Sequence, residues 1–312
     1  MKFFLHFIML KLNVKNETSR LRSVVLGTAE SNGPTPKLED CYDPKSRQHV
    51  LAGTYPKEVD MMEEMDAVDE VFKKYNIEVF RPQIIDNYNQ IFSRDIAFVI
   101  EDKLIKANIL PDRDKEFEAI QYIVKQISPE NIIQLPEECH VEGGDVMPWN
   151  EYIFVGTYSG NDYSDYITAR TNIDAVIALQ ELFPDKTVKA FELRKDNINA
   201  KENALHLDCC FQPIGKEKAI FHKNGFLVES EYEWLLNFFG ANNVFEITKE
   251  EMYQMNSNIF SISEEVIVSE KNFTRLNKWL RQKGFTVEEV SYSEIAKQEG
   301  LLRCSTMPLI RD

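Results

Sequence analysis

Short runs of β-branched and aromatic residues alternate along this chain with longer stretches in which apolar residues recur every three or four positions. Runs of the first kind are typical of strands, and stretches of the second kind are typical of amphipathic helices. The pattern predicts strands at residues 23–27 and 78–83, with a helix between them at residues 56–75. The apolar side of that helix is expected to consist of Val59, Met62, Met65, Val68 and Phe72.

The pattern then repeats as a unit of hairpin, helix and strand. Hairpins are predicted at residues 97–109, 146–158, 209–222 and 258–271, with helices after them at residues 112–127, 168–182, 229–239 and 273–282 and a last strand at residues 303–310. About five units of roughly 45 to 60 residues favour a closed ring of α/β units over an open doubly wound sheet. In such a ring the first and last strands share one unit, which brings residues near Ser23 beside Cys304. The alternative is an ordinary α/β or α+β domain.

Charge and composition narrow the classes of partner. The 51 acidic and 36 basic residues give a formal net charge of −15. A field of that sign repels phosphate backbones and attracts cations, so we expect a small cationic ligand and no nucleic acid. No stretch approaches the roughly 20 apolar residues that cross a bilayer, so we expect no membrane partner. The five cysteines show no paired spacing and no histidine pair has metal-ligand spacing, so we expect neither a disulfide framework nor a metal or other cofactor.

The N-terminus contains a short apolar run after Lys2 that is similar to part of a signal peptide. His6 interrupts the run, and Lys11 and Lys15 follow it without a small-residue cleavage site. We therefore expect a cytoplasmic protein that starts at Met1 or Met9, with residues 1–20 disordered or extended. The chain, residues 1–312, is predicted to form one domain, and its association into a homo-oligomer is left open.

Two acidic motifs stand directly before predicted strands, where a loop leaves the side chains free and the strand holds them in place. In NQIFSRD, residues 89–95, the pair Arg94-Asp95 precedes an apolar strand. In VEGGD, residues 141–145, two glycines separate Glu142 from Asp145 and permit the close approach of another group. Each motif also has a plainer interpretation, the first as a solvated ion pair and the second as a charged turn.

A histidine, an aspartate and a cysteine complete the candidate chemistry. In HLDCCF, residues 206–211, an extended strand would point His206 and Asp208 to the same face. Cys304 follows Arg303, and a nearby cation favours the reactive thiolate. The plainer interpretations are a structural histidine and a buried, inert cysteine.

Together these residues have the composition of a site for a guanidinium group. That group is planar and cationic, and carboxylates such as those of Asp95, Glu142 and Asp208 accept hydrogen bonds in its plane. Breaking one of its carbon–nitrogen bonds takes a nucleophile on the central carbon and a proton donor for the leaving nitrogen. Cys304 could be the nucleophile, and His206 could be the general acid and base.

The four motifs, in this order, resemble those of the guanidino-group-modifying enzymes, or penteins. This family includes arginine deiminase, dimethylarginine dimethylaminohydrolase and arginine:glycine amidinotransferase. The resemblance spans nearly the whole chain, and it implies a five-bladed α/β propeller of repeated ββαβ units, which agrees with the repeat. It also implies that the substrate is a small guanidino compound and that the domain is catalytic.

Roles for the central residues follow from the resemblance. Cys304 would form a covalent amidino-enzyme intermediate, and His206 would shuttle protons. Asp95 and Asp208 would clamp the guanidinium, while Glu142 would orient the histidine or share in holding the guanidinium.

The resemblance implies substrate-binding roles for five further residues. Asn89, and Arg170 in the segment ITARTN, would hold the carboxylate of the substrate, and Arg113 is a second candidate for that role. Asp145 would support the site, and Arg303, next to the nucleophile, would gate it.

Different segments are similar to different members of the family. EGGDV and MPLIRD resemble the deiminases, whereas LRSVVLGTAES and VFRPQ resemble the amidinotransferases. The favoured function is a hydrolase of the arginine deiminase type, acting on L-arginine or a close relative. The alternatives are an amidinotransferase, an enzyme like dimethylarginine dimethylaminohydrolase, an arginine dihydrolase, and a non-catalytic binding protein on the same fold.

Overall fold

Fifteen strands and eight α-helices lie in residues 9–312, the part of the chain that the computed structural model describes. The apolar run after Lys2, up to residue 8, lies outside the described residues. The strands are β1 (Leu21–Leu26), β2 (Glu78–Phe80), β3 (Ala97–Ile100), β4 (Lys103–Lys106), β5 (Ile132–Gln134), β6 (Val146–Trp149), β7 (Tyr152–Thr157), β8 (Thr187–Glu192), β9 (Phe211–Ile214), β10 (Lys218–Phe221), β11 (Val244–Glu246), β12 (Phe260–Ser261), β13 (Val266–Glu270), β14 (Thr286–Val290) and β15 (Thr306–Arg311). The helices are α1 (Pro44–Leu51), α2 (Glu58–Lys74), α3 (Ser93–Ile96), α4 (Gln121–Val124), α5 (Ile173–Leu182), α6 (Glu229–Phe239), α7 (Lys249–Tyr253) and α8 (Thr274–Gln282).

Within the described residues the strands form five three-stranded sheets, ordered β3-β4-β5, β6-β7-β8, β9-β10-β11, β12-β13-β14 and β15-β1-β2. In each sheet the first two strands are antiparallel and the third is parallel to the second. A helical segment connects the second strand to the third, because parallel neighbours need a crossover. Each sheet is therefore one ββαβ blade, and the predicted five-bladed α/β propeller is confirmed.

The two ends of the chain close the ring by sharing a blade. β1 pairs antiparallel with β15, so that Leu26 lies opposite Thr306. Beyond this pair the Gly27 N–H donates to the Ser305 carbonyl at 2.9 Å. The predicted closure is thus confirmed, and it brings the end of β1 beside Cys304.

Helix α2 has nearly its predicted extent, but its buried face is partly different. Val59, predicted to be inside, is 58% exposed, whereas Met61 is fully buried. Met61, Met65, Val68 and Phe72 also follow the spacing of a helical face. Glu64 lies on that side and accepts hydrogen bonds from the backbone of residues 294 and 295 at 2.9 to 3.1 Å, which draws this face inward.

Two other predicted helices are shorter than expected. Most of the helix predicted at residues 112–127 is a 3-10 helix, Pro111–Ile120, followed by α4. Side chains three residues apart eclipse in a 3-10 helix, and Arg113 accordingly bonds Glu116 at 2.7 Å. The helix predicted at residues 168–182 begins only at Ile173, because the Asn172 side chain caps it by accepting from the Ala175 N–H at 3.1 Å.

Aromatic side chains join neighbouring blades in the core. The ring of Phe154 on β7 meets Phe191 on β8 and Phe211 on β9 edge-on, with centroids 5.9 and 5.8 Å apart. These contacts bury large apolar surfaces in the geometry that aromatic rings prefer. Among the residues described, none of the helices has the length and apolar character needed to cross a membrane.

The N-terminal segment runs extended across several blades. Asn13 and Val14 form isolated bridges to Ile310 and Glu101, and Asn16 forms one to Trp149. Beyond these bridges the segment turns inward toward the middle of the ring.

A buried ion network occupies the middle of the ring. Glu17 accepts from the guanidinium of Arg303 at 3.0 and 3.2 Å, and Arg94 lies 3.8 Å away. Arg303 is fully buried and also donates to the Asp208 carboxylate at 2.9 Å and to the Val146 carbonyl at 2.8 Å. Burial alone would raise the pKa of Glu17, but Arg303 and Arg94 hold it below its ordinary value. The network therefore ties the N-terminal segment to the loops before β3, β9 and β15 and to the start of β6.

Replacing Glu17 with alanine should destabilise the fold strongly, because it leaves the buried Arg303 and Arg94 without their counter-charge. We expect the free energy of unfolding to fall by about 3–5 kcal/mol, measured by urea denaturation. Glu264→Ala is the control, because its pair with Lys216 at 3.2 Å lies at the surface and should contribute less than about 1 kcal/mol. Equal losses in the two variants would contradict the structural role of the network.

Candidate active site

The predicted nucleophile, histidine and guanidinium-binding carboxylates stand in the loops that precede the first strands of the blades. Asp95 lies in α3 before β3, Glu142 precedes β6, His206 and Asp208 precede β9, and Cys304 precedes β15. The short helical turns of three of these loops contact one another. The fold therefore gathers residues that are up to 209 positions apart in the chain.

A cavity of about 180 Å³ lies over these loops. Part of its wall comes from the segment 32–46, and six of the predicted site residues face it. These six are Asn89, Asp95, Arg113, Arg170, His206 and Cys304.

Cys304 lies in the turn before β15 and is almost fully buried. Its sulfur accepts a hydrogen bond from Asn258 Nδ2 at 3.1 Å and lies 3.6 Å from Asp208 Oδ2. Burial raises the pKa of the Cys304 thiol well above its ordinary value, and the carboxylates of Asp208 and Asp95 raise it further. The expected support of the thiolate by Arg303 is absent among the contacts of the sulfur, because that guanidinium is directed to Glu17 and Asp208.

The strand predicted for residues 206–211 is wrong for every residue before Phe211. Leu207–Cys209 is a 3-10 turn, with His206 at its N-cap, and β9 begins only at Phe211. The turn points the His206 imidazole toward the cavity, whereas the Asp208 carboxylate lies outside the cavity wall, between Arg303 and the Cys304 sulfur. Asp208 therefore contacts the sulfur of Cys304 directly, whereas His206 lines the same cavity as Cys304.

Glu142 holds the imidazole of His206. Glu142 Oε2 lies 2.7 Å from His206 Nε2, while His206 Nδ1 has no hydrogen-bond partner among the described residues and lies 3.9 Å from Asp95 Oδ1. Burial alone would lower the pKa of His206, but Asp95 and Glu142 outweigh it, so the pKa is raised above its ordinary value. These carboxylates therefore favour the protonated ring, which is the form that can donate a proton.

The two glycines of VEGGD are required by close contacts. A Cβ atom on Gly143 would lie 2.1 Å from the Arg94 carbonyl oxygen, and one on Gly144 would lie 2.6 Å from His206 Nδ1. Any larger residue would displace the loop of Asp95 or the histidine ring.

Asp95 has one carboxylate oxygen bound and one without a partner. Its Oδ2 accepts from Arg113 Nη1 at 2.9 Å, and its Oδ1 has no hydrogen-bond partner among the described residues. Arg113 also bonds Glu116, and burial raises the pKa of Glu116 to about 7. A buried acceptor without a partner costs free energy, so Asp95 Oδ1 is suited to accept a hydrogen bond from a ligand.

The remaining cavity residues are held by neighbours. Arg170 donates to both oxygens of Glu142 at 3.0 and 3.2 Å and to the Tyr42 carbonyl at 2.8 Å. Asn89 donates from Nδ2 to Gln298 Oε1 at 2.6 Å. Burial alone would raise the pKa of Glu142, but Arg170 and His206 outweigh it, so Glu142 is an anion at neutral pH.

Asp145 and Arg303, like Asp208, were predicted among the substrate-binding residues but lie outside the cavity wall. Asp145 accepts from the Thr171 hydroxyl at 2.7 Å and the Leu207 N–H at 2.8 Å, so it positions the loop of His206. Arg303 is fully buried among Glu17, Asp208 and backbone carbonyls, so it cannot act as a gate.

Three residues that contact the predicted site were not predicted from the sequence, namely Glu17, Glu116 and Asn258. Glu17 and Glu116 have no distinctive sequence context. Asn258, however, precedes β12, the first strand of its blade. Other blades carry their functional residues at this position. The repeat itself was therefore a signal for Asn258.

The ligand atoms of Asp95, Glu142 and His206 lie within 4.8 Å of one another, a spacing that a metal ion could bridge. Arg113 and Arg170 donate to the same two carboxylates and would repel such an ion. The donor set therefore suits an organic cation that can replace these contacts better than a metal ion.

Comparisons with known proteins show which family and which solved folds this chain is similar to. Residues 56–311 match the family model described as "N,N dimethylarginine dimethylhydrolase, eukaryotic". The protein YkgA of Bacillus subtilis is 29% identical over 246 residues, which cover 78% of this chain and 77% of that protein. An arginine deiminase of Listeria monocytogenes is 25% identical over 264 residues, which cover 72% of this chain and 62% of the deiminase.

Solved structures share the fold at lower identity. SxtG, an amidinotransferase from Microseira wollei, superposes with a TM-score of 0.75 at 17% identity, over 96% of this chain and 97% of that one. The DDAH of Pseudomonas aeruginosa, complexed with citrulline, gives 0.69 at 16% identity, over 93% and 99%. The N-terminal domain of ArgZ, a cyanobacterial arginine dihydrolase, gives 0.75 at 14% identity, over 93% and 97%.

Replacing Glu142 with glutamine should lower the pKa of His206, because it removes a negative charge at 2.7 Å from the ring. The deprotonation midpoint of His206 should move to lower pH, as followed by NMR of the labelled imidazole. Glu116→Gln is the matched control, since Glu116 contacts Arg113 rather than the histidine. His49 on α1 serves as an internal reference in both spectra. An unchanged His206 midpoint in the Glu142 variant would contradict the proposed coupling.

Proposed function

Because the chain belongs to the N,N-dimethylarginine dimethylhydrolase family, whose members are guanidino-group-modifying enzymes of the pentein superfamily, we propose that it hydrolyses a carbon–nitrogen bond of a free guanidino amino acid. One arrangement carries this proposal. The Cys304 sulfur, the His206 imidazole held by Glu142, and the Asp95 carboxylate face a single cavity.

The guanidinium of the substrate would bind above Cys304. Asp95 Oδ1, which has no partner among the described residues, would accept one of its N–H groups, and Asp208 would face it from the other side of the sulfur. The substrate also brings the positive charge that the sulfur lacks. Burial and the carboxylates of Asp208 and Asp95 keep the pKa of the Cys304 thiol high. A bound cation would lower this pKa, and the thiol would then release its proton to water.

The first half of the reaction would transfer the amidino group to the enzyme. The Cys304 thiolate attacks the central guanidinium carbon and forms a carbon–sulfur bond. The bond from that carbon to one nitrogen then breaks, and His206 donates its proton to the leaving nitrogen, which departs as an amine. The raised pKa of His206 supports this role, because Asp95 and Glu142 favour the protonated form of the ring.

The second half would return the enzyme to its starting state. Neutral His206 accepts a proton from a water molecule as the water oxygen attacks the same carbon. The carbon–sulfur bond breaks and Cys304 leaves as a thiolate. The second proton of the water is lost as the ureido carbonyl of the product forms, and its uptake by the thiolate restores the thiol. The balance over both halves is one guanidino compound and one water in, and one ureido compound and one amine out.

The other end of the substrate would meet Arg113, Arg170 and Asn89, all of which face the cavity. Both arginines are paired with carboxylates in this structure, Arg113 with Asp95 and Glu116 and Arg170 with Glu142. A substrate α-carboxylate would have to compete with these partners. Binding of the guanidinium by Asp95 would loosen the hold on Arg113, so occupation of the two ends of the cavity would be coupled.

We propose L-arginine, or its asymmetric Nω-dimethylated form, as the substrate. The family model points to methylated arginine, and the name of the 25% identical relatives points to arginine itself. Both would yield citrulline, and only the released amine differs, ammonia in one case and dimethylamine in the other.

Incubation with L-arginine and with asymmetric Nω-dimethylarginine, followed by mass spectrometry of the products, should show citrulline from at least one of them. Agmatine, which lacks the α-carboxylate, should react much more slowly if the cavity arginines bind that group. Turnover that requires added glycine or another amine would overturn the hydrolase proposal in favour of an amidinotransferase. Ornithine with two ammonia molecules would indicate a dihydrolase, and no turnover of any guanidino compound would indicate a binding protein.

Replacing Cys304 with alanine should lower kcat by at least about a thousandfold, since no other thiol is proposed to attack the substrate. In the unmodified enzyme, quenching during turnover should trap a peptide that contains Cys304 and carries the mass of the amidino adduct. Cys41→Ser is the matched control, because Cys41 lines the same cavity and is given no step in the reaction. An active Cys304 variant would refute the covalent mechanism.

A further inference from the structure

Asn258 occupies, in the blade β12-β13-β14, the place that functional residues occupy in the other four blades. It stands two residues before β12, just as Asp95 stands two residues before β3 and Cys304 stands two residues before β15. Glu142 and Asp208 come from the corresponding loops of the remaining blades. The five loops therefore each place a buried polar or nucleophilic side chain in the same central region, and Asn258 is the member without an assigned role.

The amide of Asn258 contacts the sulfur of Cys304 directly. Nδ2 lies 3.1 Å from Sγ, and among the described residues it is the only side-chain donor within hydrogen-bond distance of that sulfur. Asn258 is itself fully buried. The contact is therefore shielded from water, which strengthens it.

Backbone contacts determine which way the amide points. Asn258 Oδ1 accepts from the N–H of Arg303 at 3.0 Å and from the N–H of Cys304 at 3.1 Å. Only the oxygen of an amide can satisfy two N–H donors, so the side chain cannot flip without losing both bonds. The nitrogen is thus held toward the sulfur, and the nucleophile is held to the same side chain through its own backbone.

The surroundings of the sulfur make this donor important. Asp208 Oδ2 lies 3.6 Å away, and the positive charge of Arg303 is shared between Asp208 and Glu17. Negative groups thus dominate the sulfur's surroundings until a cationic substrate binds. The fixed N–H donor of Asn258 offsets the effect of these negative groups whenever the sulfur is a thiolate.

We propose that Asn258 is a catalytic residue whose side-chain amide stabilises the Cys304 thiolate, both before attack and when the carbon–sulfur bond breaks. This inference rests on the proposed role of Cys304 as the nucleophile. The amide forms no bond with the substrate and transfers no proton. Its hydrogen bond to sulfur weakens when the sulfur becomes a neutral thioether and strengthens again when the thiolate is released.

Asn258→Asp separates this role from a structural one. The aspartate keeps an oxygen for the two backbone N–H groups, so the loop should hold its shape, but it replaces the donor by a second acceptor facing the sulfur. We expect kcat/KM to fall by at least about a hundredfold, the effect of losing one donor to a developing anion, with a smaller change in KM. Asn258→Ala, which loses both functions of the amide, should show a loss of kcat/KM at least as large together with a lower thermal stability.

A second readout does not depend on any substrate. The rate at which iodoacetamide alkylates Cys304, followed by peptide mass spectrometry, reports the thiolate fraction. In Asn258→Asp this rate should fall about tenfold or more near neutral pH, and its rise with pH should move to higher pH. Asn256→Asp is the matched control, since Asn256 is a buried asparagine of the same loop with no hydrogen bond to Cys304 among the described residues.

The outcomes distinguish this inference from the proposed function. If Asn258→Asp matches the unmodified enzyme in its alkylation profile and in kcat/KM to within about twofold, Asn258 has no catalytic role. If Cys304→Ala is inactive in the same experiment, the covalent mechanism still stands. If alkylation slows in Asn258→Asp but no guanidino compound is turned over, the contact with sulfur is supported and the proposed reaction fails. An equal effect in Asn256→Asp would show that any added charge in the loop suffices, which overturns the specific role of the amide.

Discussion

The architecture of the site depends on the compensation of one buried charge, the guanidinium of Arg303. A cation without water must be surrounded by acceptors, and here they come from parts of the chain that are far apart. Glu17 comes from the N-terminal segment, Asp208 from the loop before β9, and the Val146 carbonyl from the start of β6. The residue next to the nucleophile thereby holds three separate segments of the chain at fixed distances from it, and Arg303 positions Asp208 before any ligand binds.

The same network leaves the sulfur of Cys304 in a negative environment. The guanidinium of Arg303 is bound by Glu17 and Asp208, and an oxygen of Asp208 lies 3.6 Å from the sulfur. The site is thus short of one positive charge at its floor, and the carboxylate oxygen Asp95 Oδ1, beside it, has no hydrogen-bond partner among the described residues. Both deficits are of the kind that a planar cation with several N–H groups can remove, which links the electrostatics of the fold to the class of substrate proposed.

The prediction of the fold succeeded where the pattern was local and repeated. Alternating strands and amphipathic helices recur in each unit, so their order and the closure of the ring could be inferred without knowing any long-range contact. The errors occurred where tertiary contacts override local preference. Glu64 finds backbone donors in the segment before β15 and turns α2 so that Met61 replaces Val59 inside. His206, in a sequence of strand-forming residues, begins a 3-10 turn whose Leu207 N–H is bound by the distant Asp145.

By itself the sequence determined the repeat, the five-bladed ring and the residue types that could act on a guanidinium, because periodicity and side-chain chemistry are properties of the local chain. Only the tertiary structure decided what each of those residues faces. It directed Arg303 to Glu17 and Asp208 instead of the cavity, Asp145 to the backbone of Leu207, and Asn258 to the sulfur. Those directions depend on which partners compensate each buried polar group, and such partners lie as many as 286 residues away, where no local pattern records them.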